Sequence, residues 1–247
     1  MKRTTMTKRG RSQPKVIFIE GIHGVGKSSV FHGLKRLYNP EEYKFYSERL
    51  LMKPLFPFGS QDVQIAFRSE LHFLQQMIER NKLIETDLSK KKGPKVYILD
   101  RSAISVIVYS KSLGIKEKDL QVIMDLYRSV NWHENIMIYL HAEPQTLLSR
   151  IAQRGSLEPE RLHWNEDDIN YIKKLEKFYT IHMKKIQNKI QIIDIDTEGV
   201  TLDGVITKVK TELDRLVPRY TSPPGQKLLD SWFSQSNPSY TTDFSQK

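Results

Sequence analysis

The sequence contains no cysteine among its 247 residues, and it has no long apolar run. The lack of thiols excludes disulfides, cysteine-ligated zinc or iron–sulfur sites and a cysteine nucleophile, and it fits a reducing compartment such as the cytoplasm. The longest apolar stretches are Val16 to Ile19, Ala103 to Tyr109 and Ile136 to Leu140, whereas a membrane-spanning helix needs roughly 20 residues. We therefore expect no membrane association, and the N-terminus lacks the apolar segment of a secretory signal.

The net charge of +10 is unevenly distributed along the chain. Residues 1–13 carry five basic side chains and no acidic one, residues 218–247 contribute +1, and +4 remains for the segment between them. We interpret residues 1–13 as a disordered basic arm, with a nuclear address or a phosphate-binding arm as the alternatives. Residues 218–247 are rich in proline, serine and threonine, which predicts a C-terminal tail. The folded domain is then expected over residues 14–217.

Short runs rich in Val, Ile, Phe and Tyr alternate with longer helical patterns. The predicted strands are Val16–Glu20, Lys44–Ser47, Lys95–Leu99, Ile136–His141 and Ile190–Ile195. The predicted helices are Lys27–Leu37, Ser60–Ile84, Ser102–Ser112, Glu117–Ser129, Pro144–Arg154, Asp167–Gln187 and Asp203–Leu216. In the second helix, Ile65, Leu71, Leu74 and Ile78 are expected to share one apolar face. The alternation predicts an α/β fold with a parallel sheet and helices on both of its faces.

Residues 21–28 read Gly-Ile-His-Gly-Val-Gly-Lys-Ser, directly between a predicted strand and a predicted helix. This is the G-x-x-x-x-G-K-[ST] phosphate-binding loop in its expected context. Glycines let successive backbone N–H groups point at phosphate oxygens, Lys27 is expected to bridge the β- and γ-phosphates, and Ser28 to bind Mg²⁺. For His23, which the motif leaves free, we favour a solvated or backbone-bonded histidine over a role against substrate. The residues predicted to bind ATP here are Gly21, Ile22, His23, Gly24, Val25, Gly26, Lys27, Ser28 and Ser29.

Two further segments carry charge suited to phosphoryl transfer. The third strand ends at Leu99-Asp100-Arg101-Ser102, where Asp100 is placed to hold a Mg²⁺-bound water and Arg101 to neutralise charge on the transferred group. Arg150 and Arg154 lie four residues apart, so a continuous helix would place both guanidinium groups on one face, before a helix-breaking segment that begins at Gly155. They are predicted to grip ATP phosphates from a lid, although this segment taken alone slightly favours an ordinary solvated helix face.

These segments together resemble the deoxynucleoside kinase and thymidylate kinase superfamily, and most of all the herpesvirus-type thymidine kinases. The resemblance rests on Ile17-Phe-Ile-Glu-Gly-Ile-His-Gly-Val-Gly-Lys-Ser28, on Ile98-Leu-Asp-Arg-Ser-Ala-Ile104, and on Arg150-Ile-Ala-Gln-Arg154 followed by Glu160-Arg161-Leu162. It implies a five-stranded P-loop kinase with a short Arg-bearing lid that uses ATP and Mg²⁺, forms a homodimer and phosphorylates a nucleoside at the 5′-hydroxyl.

The resemblance also assigns residues to the acceptor site. Glu48 is the expected general base, although the family usually has proline where Arg49 follows it, and a surface Glu48–Arg49 pair is the alternative. Gln64 is the match for the base-reading glutamine, with Phe67 packing on the ring, although a surface glutamine and a core phenylalanine explain them equally well. The predicted substrate-binding residues are Glu48, Gln64, Phe67, Arg101, Glu158 and Glu160, of which one of the last two would contact the sugar.

The choice of acceptor depends on a few positions. Family members that accept cytosine or purines tend to carry an arginine and an aspartate where this chain has Leu71 and Val106, which favours thymidine. Thymidylate kinase is the nearest alternative, but the position of its phosphate-binding arginine holds His72, with Arg49 or Arg68 as substitutes. A nucleotide-dependent nucleic-acid-binding protein is a more distant alternative, because no basic stripe interleaved with aromatic residues is present.

Overall fold

A computed structural model describes residues 14–48, 60–90, 92–154 and 165–217. In this part of the chain, five parallel strands form one sheet in the order β2-β3-β1-β4-β5. The strands are β1 Lys15–Glu20, β2 Tyr43–Tyr46, β3 Val96–Asp100, β4 Ile136–His141 and β5 Gln191–Asp196. The predicted five-stranded parallel α/β fold is therefore confirmed. Residues 155–164, which include most of the predicted lid, lie outside the described residues, as do the basic arm and the C-terminal tail.

Seven helices alternate with these strands in the described part of the chain. They are α1 Lys27–Leu37, α2 Val63–Leu88, α3 Ala103–Ser112, α4 Glu117–Ser129, α5 Pro144–Ala152, α6 Ile169–Ile186 and α7 Leu202–Leu216. Four of them begin at a side-chain cap: Asp62, Ser102, Asp168 and Thr201 each accept a hydrogen bond from a backbone N–H of the first turn. Pro144 is the first residue of α5, where its missing N–H costs nothing.

The topology places the functional loops at one edge of the sheet. Strand β1 lies between β3 and β4, and its Ile19 pairs with Asp100 of β3. Four consecutive β1 residues from Val16 to Ile19 are at most 1% exposed, as expected for a parallel strand covered on both faces. The carboxyl ends of β1 and β3 therefore lie side by side, which is where ligands bind in sheets of this kind.

Two helices differ from the sequence predictions in ways that affect the site. Asp62 caps α2, so this helix starts at Val63 rather than Ser60, and it continues to Leu88. Its buried face includes Ala66, Glu70, Phe73, Met77 and Arg80, whereas Ile65, Leu71 and Ile78 are only half-buried. Of the predicted apolar face, Leu74 is fully buried and Ile78 packs against the core cluster. The apolar period missed the buried charged residues Glu70 and Arg80, because it counts only hydrophobic positions. Helix α5 ends at Ala152 instead of Arg154.

The chain divides into two compact units, Met1–Glu212 and Leu213–Lys247. Of the second unit, the structure describes residues 213–217, which form the end of α7 and the residue after it. Among the residues described, no helix is both long and apolar enough to cross a membrane.

Candidate active site

The loop between β1 and α1 has backbone conformations that side chains rarely adopt. Gly21, Gly24 and Gly26 have φ values of 143°, 86° and 99°, which glycine reaches without steric cost. A Cβ atom on Gly21 would lie 2.3 Å from the carbonyl oxygen of Leu140, so this position also lacks room for a side chain. The loop leads directly into the N-terminus of α1, where backbone N–H groups and the helix dipole favour an anion.

Lys27 is buried at the first position of α1, and its Nζ donates to the carbonyl oxygen of Ile22 at 2.9 Å. Burial, together with the nearby Arg101 guanidinium, lowers the pKa of Lys27 to about 7. A bound phosphate would supply the negative charge that favours the protonated amine. The geometry therefore fits the phosphate-bridging role predicted for Lys27.

Ser28 and Asp100 meet at the edge of the loop, where Ser28 Oγ donates to Asp100 Oδ2 at 3.1 Å. The other oxygen, Asp100 Oδ1, is buried and has no hydrogen-bond partner in the described residues. Burial and the nearby Glu48 raise the pKa of Asp100. A buried oxygen without a donor, next to a hydroxyl, fits the oxygen ligands that Mg²⁺ prefers. These residues therefore fit the magnesium site predicted from the sequence.

Glu48 and Arg101 form an ion pair close to Lys27, with Arg101 Nε 2.7 Å from Glu48 Oε1. Both side chains are mostly buried, and Arg101 Nη1 also donates to the Tyr109 hydroxyl at 3.4 Å. Arg101 has a φ of 62°, a left-handed conformation that is uncommon for a residue other than glycine. Strain of this kind is often found at functional sites.

His23 lies beside this pair and is bonded to the protein. Its Nε2 contacts the Glu166 carbonyl oxygen at 3.2 Å and its Nδ1 contacts the Tyr109 hydroxyl at 3.3 Å, while its ring stacks on Tyr171. Burial, with the charges of Lys27 and Arg101, lowers the pKa of His23 to about 3, so the ring is neutral at physiological pH. The carbonyl must accept, which assigns the ring proton to Nε2.

Sequence reasoning missed Glu20, which precedes the phosphate loop and is fully buried. Its carboxylate accepts hydrogen bonds from the backbone N–H and hydroxyl of Ser102, from the Ser105 hydroxyl and from the Tyr179 hydroxyl, all at 2.7–2.9 Å. Glu20 thus connects the end of β1 to the start of α3 and fixes the turn that holds Arg101. Its sequence signal was a charged residue at the end of a buried strand.

The structure does not bring Gln64 to this cluster. Gln64 lies exposed in the first turn of α2, where its Nε2 donates to Asp119 Oδ2 at 3.4 Å. Phe67 is half-buried and packs against the apolar cluster between α2, α3 and α4. Glu70, another polar residue of α2, lies within electrostatic reach of Arg101 and Glu48, and sequence reasoning missed it.

Glu70 is 4% exposed and makes no hydrogen bond to any residue that the structure describes. Burial is the main reason that the pKa of Glu70 rises to about 8, with Arg101 opposing the rise and Glu48 adding to it. The Tyr171 hydroxyl is likewise buried without a partner in the described part of the chain. Two unpartnered polar groups near the Glu48–Arg101 pair indicate a place where a ligand would supply the missing hydrogen bonds.

The two predicted lid arginines have different surroundings. Arg150 donates to the hydroxyl and the carbonyl oxygen of Thr197, at 2.8 and 2.7 Å. Arg154 follows the end of α5 and is exposed, but its charge reaches His23 of the phosphate loop. Helix α5 ends at Ala152, between the two residues, whereas the sequence predicted a helix that continues to Arg154. Glu158 and Glu160 lie outside the described residues.

The model of one family, described as deoxynucleoside kinase, matches residues 17–218 of this chain. The chain belongs to the deoxynucleoside kinase family. The match begins within β1, spans the other four strands and the whole cluster around Lys27 and Arg101, and confirms the superfamily that the sequence motifs indicated.

Individual proteins that resemble this chain share about a fifth to a quarter of its residues in the aligned regions. The thymidylate kinase of Anoxybacillus flavithermus is 25% identical over 198 residues, which cover 74% of this chain and 88% of that protein. Among solved structures, deoxyadenosine kinase from M. mycoides aligns with a TM-score of 0.62 at 21% identity, covering 81% of this chain and 99% of that one. Thymidylate kinase from Candida albicans aligns with a TM-score of 0.60 at 19% identity, covering 82% and 92%. The structural likenesses establish the P-loop kinase fold.

For this deoxynucleoside kinase family member, the residues predicted from the sequence fall into two groups. The structure brings Lys27, Ser28, Glu48, Asp100 and Arg101 together at the ends of adjacent strands. Gln64 and Phe67 contact other parts of the chain. Arg150 donates to Thr197, and its predicted contact with ATP stays a prediction. The chain is a kinase that acts on nucleosides or nucleotides.

Proposed function

We propose that this kinase transfers the γ-phosphoryl group of ATP to the 5′-hydroxyl of a deoxynucleoside, with thymidine preferred. The observation that carries the proposal is the Glu48–Arg101 pair, at 2.7 Å, within electrostatic reach of Lys27. A carboxylate next to a phosphate-binding lysine is placed to accept a proton from a hydroxyl that attacks the γ-phosphate.

In the reaction, the acceptor oxygen forms a bond to the γ-phosphorus as its proton passes to the Glu48 carboxylate. The bond between the γ-phosphorus and the β–γ bridging oxygen breaks, and ADP leaves. Lys27 and Arg101 stabilise the negative charge that spreads over the transferred group. Ser28 Oγ and Asp100 would hold Mg²⁺, which would offset charge on the β- and γ-phosphates. A positioned base such as Glu48 typically contributes about 10²–10⁴-fold to the rate.

The cations of the site support a neutral acceptor over a nucleoside monophosphate. Among the described residues of α2, Arg68 is exposed and Arg80 donates to three backbone carbonyls, so neither is free inside the site for a second phosphate. Arg101 is already paired with Glu48. A monophosphate acceptor would need further positive charge, for which Arg49 is a substitute outside the described residues.

Glu70 takes the base-reading role that the sequence had assigned to Gln64. A protonated carboxyl offers one donor and one acceptor, the same complement as a glutamine amide, and so fits the O4 and N3–H edge of thymine. Burial raises the pKa of Glu70 to about 8, which keeps the neutral form present at pH 7. Val106, in the apolar cluster against α2, is buried and offers no hydrogen bond to an exocyclic amino group. Both features favour thymine.

Thymidylate kinase activity is the second candidate, because the Anoxybacillus flavithermus relative is named as one. A coupled ADP-release assay with ATP and Mg²⁺ separates the two when thymidine, deoxycytidine, deoxyadenosine and dTMP are offered one at a time. We expect turnover with thymidine, and ³¹P NMR of the product should show a 5′-monophosphate. Turnover with dTMP alone would overturn the proposal in favour of the second candidate.

Two variants test the assignment of the residues. Glu48→Gln should lower kcat by about 10²–10⁴-fold and leave ATP binding within about threefold, since the amide cannot accept the proton. The matched control is Glu79→Gln, an exposed residue of α2 paired with Lys82 on the surface, which should behave as the wild type. An unchanged kcat in Glu48→Gln would assign the base to another residue.

A further inference from the structure

Arg80 is a buried charged residue on α2 that the reaction as described does not use. Its side chain is 1% exposed and lies on the buried face of the helix, among apolar residues such as Met77 and Ile84. Burying a guanidinium is costly unless its donors are paired, so the partners of Arg80 show what it does.

Those partners are backbone atoms of the active site. Arg80 Nη1 donates to the carbonyl oxygens of Asp100, at 2.9 Å, and Ser47, at 3.3 Å. Arg80 Nη2 donates to the carbonyl oxygen of Arg101 at 2.7 Å. Ser47 precedes Glu48, so one guanidinium is bonded to the backbone on both sides of the Glu48–Arg101 ion pair.

The three carbonyl groups lie at the point where the hydrogen-bonded pairing between β2 and β3 ends. The pairing between β2 and β3 ends at Tyr46 and Leu99, and Ser47 and Asp100 are the next residue of each segment. Arg101 then adopts the left-handed conformation with a φ of 62°. Buried carbonyls in such a turn need donors, and the flat fork of an arginine can serve several at fixed relative positions, which the single ammonium of a lysine cannot.

We propose that Arg80 is a positioning residue, which sets the geometry of the Glu48–Arg101 pair by holding the backbone of both segments at once. The inference rests on the proposed function, because it takes Glu48 and Arg101 as the groups that act on the acceptor. Arg80 acts through these two residues and does not contact the substrate.

Glu134 lies beside the buried guanidinium without taking over its bonding. Its Oε1 lies 3.6 Å from Arg80 Nη2, beyond hydrogen-bond distance, whereas all three carbonyl contacts are within it. A conventional buried ion pair would show the opposite arrangement. Glu134 precedes β4 and is itself buried, and burial raises the pKa of its carboxyl to about 8, so the backbone carbonyls are the main partners of the Arg80 guanidinium.

The test uses Arg80→Lys and Arg80→Met in the full-length protein, with Arg128→Met as the matched control. Arg128 lies on the surface of α4, paired with Asp125. Circular dichroism and thermal unfolding establish the folded fraction of each variant. We expect both Arg80 variants to lose about 10²-fold in kcat per folded molecule, as for a displacement of about 1 Å at a reacting group. The KM for ATP should change less than threefold, and the control should match the wild type.

A double-mutant cycle with Glu48→Gln distinguishes positioning from general destabilisation. If Arg80 acts through Glu48, the Arg80→Met/Glu48→Gln variant should lose far less than the product of the two single losses. The inference would be overturned if the kcat loss of the double variant equalled the product of the two single losses. It would also be overturned by an unchanged kcat in either Arg80 variant, or by a rise in the KM for ATP that accounts for the whole loss of activity. So would failure of both Arg80 variants to fold, because Arg80 would then be a purely structural residue.

The same experiment separates this inference from the proposed function. The assays use whichever of thymidine, deoxycytidine, deoxyadenosine and dTMP the wild type phosphorylates. A wild type that turns over dTMP alone contradicts the proposed acceptor and leaves the prediction for Arg80 in force. Normal wild-type turnover of thymidine with additive Arg80 losses contradicts the inference alone. A wild type that turns over none of the four refutes both.

Discussion

Replacing Glu70 by glutamine should make the stability of the protein less dependent on pH. Glu70 is 4% exposed, has no hydrogen-bond partner among the described residues, and has its pKa raised from 4.5 to about 8, chiefly by burial. In the unfolded chain the same carboxyl ionises near its ordinary value. Folding therefore requires Glu70 to keep or regain a proton between these two pH values.

The direction and size of the pH effect on stability follow from the difference between the pKa of Glu70 in the folded and unfolded states. Below pH 4.5 the carboxyl is protonated in both states and Glu70 has no pH-dependent effect. As the pH rises, the unfolded state loses its proton first, so the free energy of unfolding falls by about 1.4 kcal/mol per pH unit. Over about 3.5 units this amounts to roughly 5 kcal/mol, reached near pH 8. Glutamine cannot ionise, so Glu70→Gln should escape this loss.

Urea denaturation followed by tryptophan fluorescence, at pH 5, 6.5 and 8, would measure the free energy of unfolding of the wild type and of Glu70→Gln. The stability of Glu70→Gln minus that of the wild type should grow steadily with pH, while the surface variant Glu79→Gln should show a constant difference. Thymidine turnover by Glu70→Gln should also persist above pH 8, where the wild type loses the neutral carboxyl that pairs with thymine. A stability difference that is the same at pH 5 and pH 8 would refute the reasoning that Glu70 is buried and unpaired.

Three other outcomes are expected. Gly21→Ala should abolish ATP binding in an equilibrium dialysis assay and lower the melting temperature, because its Cβ would lie 2.3 Å from the Leu140 carbonyl oxygen. Ser28→Ala should weaken Mg²⁺-dependent ATP binding by about tenfold, equivalent to one lost ligand of about 1.4 kcal/mol, and leave metal-free nucleotide binding unchanged. Burial alone would raise the pKa of the Asp87 carboxyl, but hydrogen bonds, of which that from Lys44 has the largest effect, hold this pKa well below its usual value. The ionised Asp87 therefore stabilises the folded state above pH 4, and this contribution is lost as the pH falls further. Asp87→Asn should therefore cost roughly 1–2 kcal/mol in urea denaturation at pH 7 and less at pH 2.

Local sequence signals predicted the fold and the phosphate loop well. Both ends of all five strands were located to within one residue, because a buried parallel strand has a continuous apolar run that a short window detects. The phosphate loop is a contiguous motif whose glycines, lysine and serine have fixed spacing, so its chemistry is readable without tertiary information. Asp100 and Arg101 could be assigned because they follow a predicted strand directly.

The remaining site residues could not be predicted from spacing. Gln64 matched a family position in the sequence, yet Asp62 caps α2 just before it and the helix orientation directs Gln64 to Asp119 instead. Glu70 and Arg80 lie on the same helix in positions where an apolar period expects hydrophobic residues. A charge on that face was the available signal, but it does not reveal what the charge contacts.

The sequence alone determined where the strands and helices lie along the chain, that the sheet is parallel, and which loop binds phosphate. These features depend on contiguous patterns of polarity and on glycine spacing. Tertiary structure decided which side chains surround the acceptor and which are tied up elsewhere. Arg80 joins two strand ends that are 53 residues apart in sequence, from Ser47 to Asp100, and Arg150 is drawn to Thr197 of a distant segment. Contacts of this kind arise from the packing of helices on a sheet, and no local pattern in the chain encodes them.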